Sequence, residues 1–306
     1  FGRIDANISD NHQLTVRHNY VGGNNQILRP SRTFYPFPDY LYNIDITTNS
    51  FVPQLHSVFG EDKFNEFRIT AQTIKGPRFG PEPVFPSVDV DISGGRTLQA
   101  GTEDFSTAND LDQTIFEITD DLTMMLGDDH TVIFGTHNEI FNFENLFIRQ
   151  NYGAYSFDSL DDLERGWAQS YDYSFSATAD PRQAAKFGVI QLGFYAGDTW
   201  NASDTVSLNY GLRLDVPILP DTPTYNSEAD AVQQIRGGIG LFSGRTPYVW
   251  LSNQYGNTGI EFTRISSFLS RPINAGNNIT FVPDPFNQPT DVGNSSTNEV
   301  DVTDPD

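Results

Sequence analysis

Apolar and polar residues alternate with a period of two through long stretches of the chain. Between Asp204 and Val216, one parity carries Val206, Leu208, Tyr210, Leu212, Leu214 and Val216, and the other carries Thr205, Ser207, Asn209, Gly211, Arg213 and Asp215. This pattern predicts a strand with one greasy and one wet face. At about 11 to 13 residues, the strand is long for a globular sheet and fits a tilted crossing of a bilayer. Just upstream, Ile190, Leu192, Phe194 and Ala196 alternate with Gln191, Gly193, Tyr195 and Gly197, and Trp200 to Asp204 joins the two strands as a short turn.

The same unit recurs. Ile4, Ala6 and Ile8 lead through Asp10-Asn11-His12 to Leu14, Val16 and Tyr20, which reads as another hairpin. A third runs from Phe116, Ile118, Leu122 and Met124 through Gly127-Asp128-Asp129 to Val132 and Phe134. Further strands are expected at 67–74, 87–93, 151–157, 168–177 and 234–242, and one helix over Ser159 to Glu164 with Ser159 as its N-cap. Between the hairpins lie connections rich in Pro, Asn, Asp and aromatics, at 22–66, 142–150, 217–233 and from 243 onward. Structureless loops of that length argue against a compact soluble domain. Short turns at one end of the strands and long loops at the other are the organisation of an outer-membrane barrel. The fold class predicted is therefore all-β: an antiparallel transmembrane β-barrel, partial, of roughly ten strands, with short periplasmic turns and long extracellular loops. The barrel is expected over residues 1–283, and residues 284–306 as a polar, acidic loop or disordered end.

Composition sharpens this picture. Among 306 residues, 18 Lys and Arg stand against 40 Asp and Glu, so the formal charge is 18 − 40 = −22. A surplus that large repels phosphate and excludes nucleic acid as a partner. Only 37% of residues are hydrophobic, too few for a large soluble core, and 24 Phe and 13 Tyr stand in for aliphatics. Cysteine is absent, which removes disulfides, thiolate catalysis and Cys-based zinc sites. No run of about 18 apolar residues predicts a spanning helix, although strands of a barrel never produce one. The first methionine is Met124, so the chain is expected to begin after a cleaved or missing N-terminal portion.

Candidate chemistry is sparse. Asp89, Asp91 and Ser93 followed by Gly94 match the opening of a calcium loop, but position 12 is Ala100, and an amphipathic strand explains the same spacing. His137 and Glu139 share a strand face; two ligands make no zinc site, and a wet-face pair in a barrel wall is the preferred reading. No nucleophile elbow is present, and the glycines at 237–244 lack the Lys-Ser/Thr of a phosphate loop. The reading assigns no catalytic residue, no metal and no cofactor. Aromatic loops remain, with Phe34, Tyr35, Phe37, Tyr40 and Tyr42 in one and Tyr248, Trp250, Asn253 and Tyr255 in another. The second set is the candidate ligand-binding group, because stacking faces with polar tips suit a sugar, peptide or chelate. The competing reading is an aromatic girdle or loop-on-loop packing.

Three stretches carry a family likeness. Residues 187–216, FGVIQLGFYAGDTWNASDTVSLNYGLRLDV, resemble the strand-turn-strand signature of TonB-dependent outer-membrane receptors, a GFYxxDxW strand followed by an LxYGLRxD strand. Residues 235–259, the TFYPFPDY segment and GTHNEIFNFENLF at 135–147 resemble the Oar-type, OmpA-related branch. The resemblance implies a fragment of a plugged barrel of about 22 strands. It also implies ligand capture by loops, energised uptake across the outer membrane of a Gram-negative bacterium, and the inner-membrane TonB complex as partner through an N-terminal plug that this sequence lacks. Outer-membrane lipid and an unknown transported ligand complete the expected partners. The alternative is a secreted all-β carbohydrate-binding or adhesive module, in which Val206, Leu208, Leu212 and Leu214 would face a packed interior.

Overall fold

The structure, a computed structural model, describes residues 1–221, 248–256, 258–292 and 296–300. In chain order the strands are β1 (Gly2–Ser9), β2 (His12–Ile27), β3 (Phe34–Pro36), β4 (Tyr42–Phe59), β5 (Lys63–Lys75), β6 (Arg78–Phe79), β7 (Ser87–Asp91), β8 (Thr97–Ala100), β9 (Ala108–Leu126), β10 (His130–Ile148), β11 (Ala154–Phe157), β12 (Trp167–Ala168), β13 (Ser170–Ser176), β14 (Ala185–Ser203), β15 (Val206–Ile218), β16 (Thr258–Phe268), β17 (Ile279–Thr280) and β18 (Ser296–Val300). Helix α1 spans Leu160–Arg165 and α2 spans Ser252–Gly256.

The long strands form one antiparallel meander, β1-β2-β4-β5-β9-β10-β14-β15, with β6 paired to β4. It is the wall predicted from the alternation. Its hairpin turns, at Asp10-Asn11, Gly60 to Asp62, Gly127 to Asp129 and Asp204-Thr205, are all short and lie at one end. The two faces of the wall differ in the way that decides between barrel and sandwich. Ile4 (70%), Phe194 (49%), Leu212 (86%) and Leu214 (61%) are exposed on the outer face, whereas Thr15, Thr119, Glu139 and Val189 on the other face are buried. A single layer crowds only its concave side, so the sheet curls with its polar face inward. Among the described residues the apolar face meets no packed partner and reads as a lipid-facing band. The sandwich alternative would need Val206, Leu208, Leu212 and Leu214 in a packed interior, and they are exposed, with no second sheet on them among the described residues.

Several expected loops are strand. β2 runs on to Ile27, β4 occupies Tyr42–Phe59 inside the stretch 22–66, and β10 continues to Ile148 through 142–150. Residues such as Gly22, Gly23, Asn24 and Asn25 break the alternation, yet each is paired in register with Ile44 to Thr47 of β4. A neighbouring strand satisfies their backbone groups whatever their side chains prefer. The connections at the far end are not structureless either. They assemble a second sheet, β18-β16-β13-β11-β7-β8-β3, around Val88, Val90, Tyr155, Phe157, Tyr171 and Ile265. This cap also holds α1, whose Ser159 accepts from the amide of Asp162 as the predicted N-cap and which ends on Gly166 in the left-handed region.

Residues 284–292 form a loop docked on the cap core. Gln288 is buried there and accepts from the hydroxyl of Tyr155 at 2.8 Å, and Tyr171 donates to the carbonyl of Pro289 at 3.0 Å. The strand expected at 234–242 and the glycines of 237–244 lie outside the described residues.

Candidate functional site

The inward face of the wall carries a chain of polar contacts at one height, built strand by strand from the odd or even positions that the pleat turns inward. Arg17 of β2 donates to Gln54 Oε1 of β4 at 2.6 Å. Gln54 lies 3.0 Å from His56 Nε2, and His56 Nδ1 is 3.6 Å from Glu66 of β5. Arg68 bridges Glu66 at 3.6 Å and Glu117 of β9 at 3.4 Å. Thr119 donates to Glu117 Oε1 at 3.2 Å and sits 3.0 Å from His137 Nδ1 of β10. His137 Nε2 is 3.3 Å from Glu139 Oε2. Further on, Tyr195 of β14 donates to Asp121, Arg213 of β15 stacks 5.4 Å over its ring, and Arg213 holds Asp215 at 2.8 Å.

Two glycines make room for this row. At Gly135 a Cβ would collide with the ring of Tyr195, which lies flat across the bare backbone. At Gly193, opposite His137, a Cβ would stand 3.0 Å from Arg213 Nη2. The GFY motif of the sequence thus places an aromatic over the neighbouring strand and clears space for a guanidinium.

Towards the cap, the inward face turns apolar. Phe141, Phe143, Phe187 and Val189 form a buried cluster, and the segment 248–256 folds onto it. Tyr248 packs against Phe141 with ring centroids 5.4 Å apart and donates to Gln191. Tyr255 stacks on Phe187 at 4.5 Å and 5°, donating to the carbonyl of Asp221 at 2.9 Å. Asn145 ties Ser252 at 2.8 Å. Of the four candidate ligand residues, Tyr248 and Tyr255 therefore spend their ring faces on the chain's own aromatics, and Asn253 is half-buried in α2 beside them. Trp250 lies in the same 3₁₀ turn, Tyr248–Leu251, and its side chain is outside the described set. The first aromatic loop divides between wall and cap: Phe34 and Tyr35 enter β3, and Tyr40 donates to Asp104 at 3.3 Å.

The calcium-like stretch is a hairpin. Val88 and Val90 are core residues of β7, Asp91 accepts from the amide of Ser93 at 2.8 Å, and Gln99 donates to Asp89 at 3.2 Å. The residue that sequence reasoning missed is Glu117. It lies twenty positions before His137, and only the β9–β10 register, with Glu117 directly opposite Glu139, brings it to the pair. The alternation in both strands carried the parity but not that register.

Comparison with known families matches residues 1–232 to the outer membrane beta barrel domain. Among solved structures, the chain is similar to the outer membrane transporter YddB from Escherichia coli, with 11% sequence identity and a TM-score of 0.46 over 70% of this chain. The match covers 26% of that transporter, so the chain spans about a quarter of its length. No curated protein matches.

Proposed function

The chain belongs to the outer membrane beta barrel domain family, and from that membership we propose that it is part of the wall of a TonB-dependent receptor of the Oar type, which takes up a scarce ligand across the outer membrane. Its place is the Gram-negative outer membrane, with the exposed apolar band in lipid and the polar ladder facing the lumen. The observation that carries the reading is the β14–β15 hairpin. The segment GFYAGDTW to LNYGLRLD that resembles the receptor signature is a wall hairpin, its apolar residues outward and Tyr195, Arg213 and Asp215 inward.

In this reading the cap and the loops meet the ligand first. Tyr248, Asn253 and Tyr255 line the passage, folded against its inner wall, and Trp250 of the same segment joins them in meeting the ligand. The TonB complex supplies the energy through a plug carried elsewhere in the receptor, and no covalent chemistry is involved. The test uses the complete receptor in cells. Growth on the imported nutrient should fail when either the receptor or TonB is deleted, and uptake that persists without TonB would overturn energised transport.

A further inference from the structure

We infer that the inner face of the wall, beside the cap, holds a binding pocket for a small amphipathic carboxylate, with Arg78 as the group that takes the carboxylate. The inference rests on the wall reading above, which makes this face the lumen, and deepens it by naming the class of molecule that the passage admits.

The starting point is a break in the polar parity. Positions that the pleat turns into a barrel lumen are ordinarily polar. Nearer the turns they are, with Gln54, Glu66, Arg68 and Glu117 on this face. Towards the cap the same parity carries Ile44 and Ile46 of β4, Ile74 of β5, Leu111 of β9 and Phe147 of β10. The register keeps them at neighbouring heights: Ile74 stands opposite Thr48 and Gln113, Leu111 opposite Asn145, and Phe147 opposite Asn109. Segment 248–256 packs over the adjoining rings of Phe141, Phe143 and Phe187 and is tied to Asn145 through Ser252. Beyond that tie the apolar floor is open among the described residues, with Ile46 50% and Phe147 40% exposed. Together these side chains line a hollow of about 460 Å³. That volume, and a greasy floor edged by a few polar groups, are the usual make-up of a small-molecule site.

The polar groups select the ligand. Arg78 of β6 is paired in register with Ile44 and lines the same hollow. Its guanidinium lies over the ring of Tyr42 at 5.8 Å, a contact it can keep while its N–H groups hold a carboxylate in two parallel hydrogen bonds. Among the cap carboxyls, Glu103 feels Arg78; burial is the largest influence there and pushes that group towards its neutral form, and Arg78 is the smallest. Asn109 and Asn145 edge the hollow with amides, held by the carbonyl of Phe105 at 2.9 Å and the hydroxyl of Ser252 at 2.8 Å. A cationic ligand would meet the like charge of Arg78, and a sugar would lay hydroxyls on a floor that cannot bond them. An apolar body of about 20 non-hydrogen atoms bearing one carboxylate satisfies both floor and rim.

The full chain, purified into amphipol, is titrated with dansyl-leucine and with its neutral amide, and the rise in dansyl fluorescence reads binding. The carboxylate should bind at least about tenfold tighter than the amide, as a charge-assisted pair does. Arg78→Gln should remove that preference by weakening the carboxylate alone, whereas Ile46→Ser should weaken both probes at least about threefold. Equal affinity for the two probes in the unaltered chain, or a preference that survives Arg78→Gln, overturns the pocket. Absence of binding by either probe also overturns it, since protein then fills the hollow. Should Arg78→Gln fail to fold, photolysis of the unaltered chain with N-acetyl-benzoylphenylalanine decides: adducts on Ile74, Leu111 or Phe147 support the pocket, and adducts only elsewhere refute it. No transport is read here, so failure of the pocket is distinct from failure of energised uptake, which the TonB deletion tests.

Discussion

Individual side chains are where burial overrides intrinsic chemistry. In the cap, outside the wall, burial pushes the carboxyl of Asp89 up to about 6; the donor Gln99 opposes this, and the charge of Asp104 adds to it. Asp104 is raised as well, by burial first, and burial raises Tyr40 beside both. An unfolded aspartate titrates near 3.9. Folding therefore favours the protonated form, and the stability linked to Asp89 is complete below about pH 4 and lost as pH rises through about 6. The cap should melt at a higher temperature at pH 4.5 than at pH 7.5, and Asp89→Asn should flatten much of that difference. Circular dichroism melts at both pH values check it, and an unchanged gap in the variant would exclude Asp89 as its source. Such shifts were not legible in the sequence: Asp89 reads there as one member of a calcium-like triplet. Tyr248 and Tyr255 were legible as aromatics with polar tips, but the partners of their rings lie about 70 to 110 positions upstream.

Strands and hairpins were the most legible elements. The three hairpins read from alternation recur as β1–β2, β9–β10 and β14–β15; the first two turn where expected, whereas Trp200 to Ser203, read as a turn, continue β14 by pairing with β15, and the chain reverses at Asp204-Thr205. Each strand carries its lipid face in its own residues, so the prediction belongs to the element. Phe194 is half-exposed, flanked by Thr136 of β10 and Leu214 of β15 in the middle of the apolar band. Phe194→Arg should cost about 2–4 kcal/mol of folding free energy in a bilayer. Denaturant titration of the protein refolding into lipid vesicles measures this, and a cost below about 0.5 kcal/mol would mean that the face does not contact lipid. Elements without alternation were missed. The upper halves of β2 and β10 and most of β4 hold through pairing with neighbours, an interaction that no single segment displays.

The assembled molecule has two parts, a wall and a cap, and its ends differ in kind. Short acidic turns such as Asp128-Asp129 join the strands at one end of the wall, and the connections at the other end build the cap. Outer-membrane barrels place short turns in the periplasm and long loops outside. Since the chain has no cysteine, single substitutions report cleanly. In intact cells a bulky, impermeant maleimide should label Ala275→Cys on the cap and leave Asp128→Cys untouched until the outer membrane is opened. The reverse pattern would invert the orientation.

The sequence by itself determined which residues form wall strands, which parity meets lipid and which meets water, because a period of two is a local property of the pleat. It also determined the formal charge of −22, because net charge needs no fold. Only the tertiary structure decided that the long connections build a second sheet, that segment 248–256 folds onto the inner wall, and that Glu117 joins His137 and Glu139. Those outcomes depend on register and on contacts between residues distant in the chain, which arise only when the backbone pairs and the apolar faces find their partners.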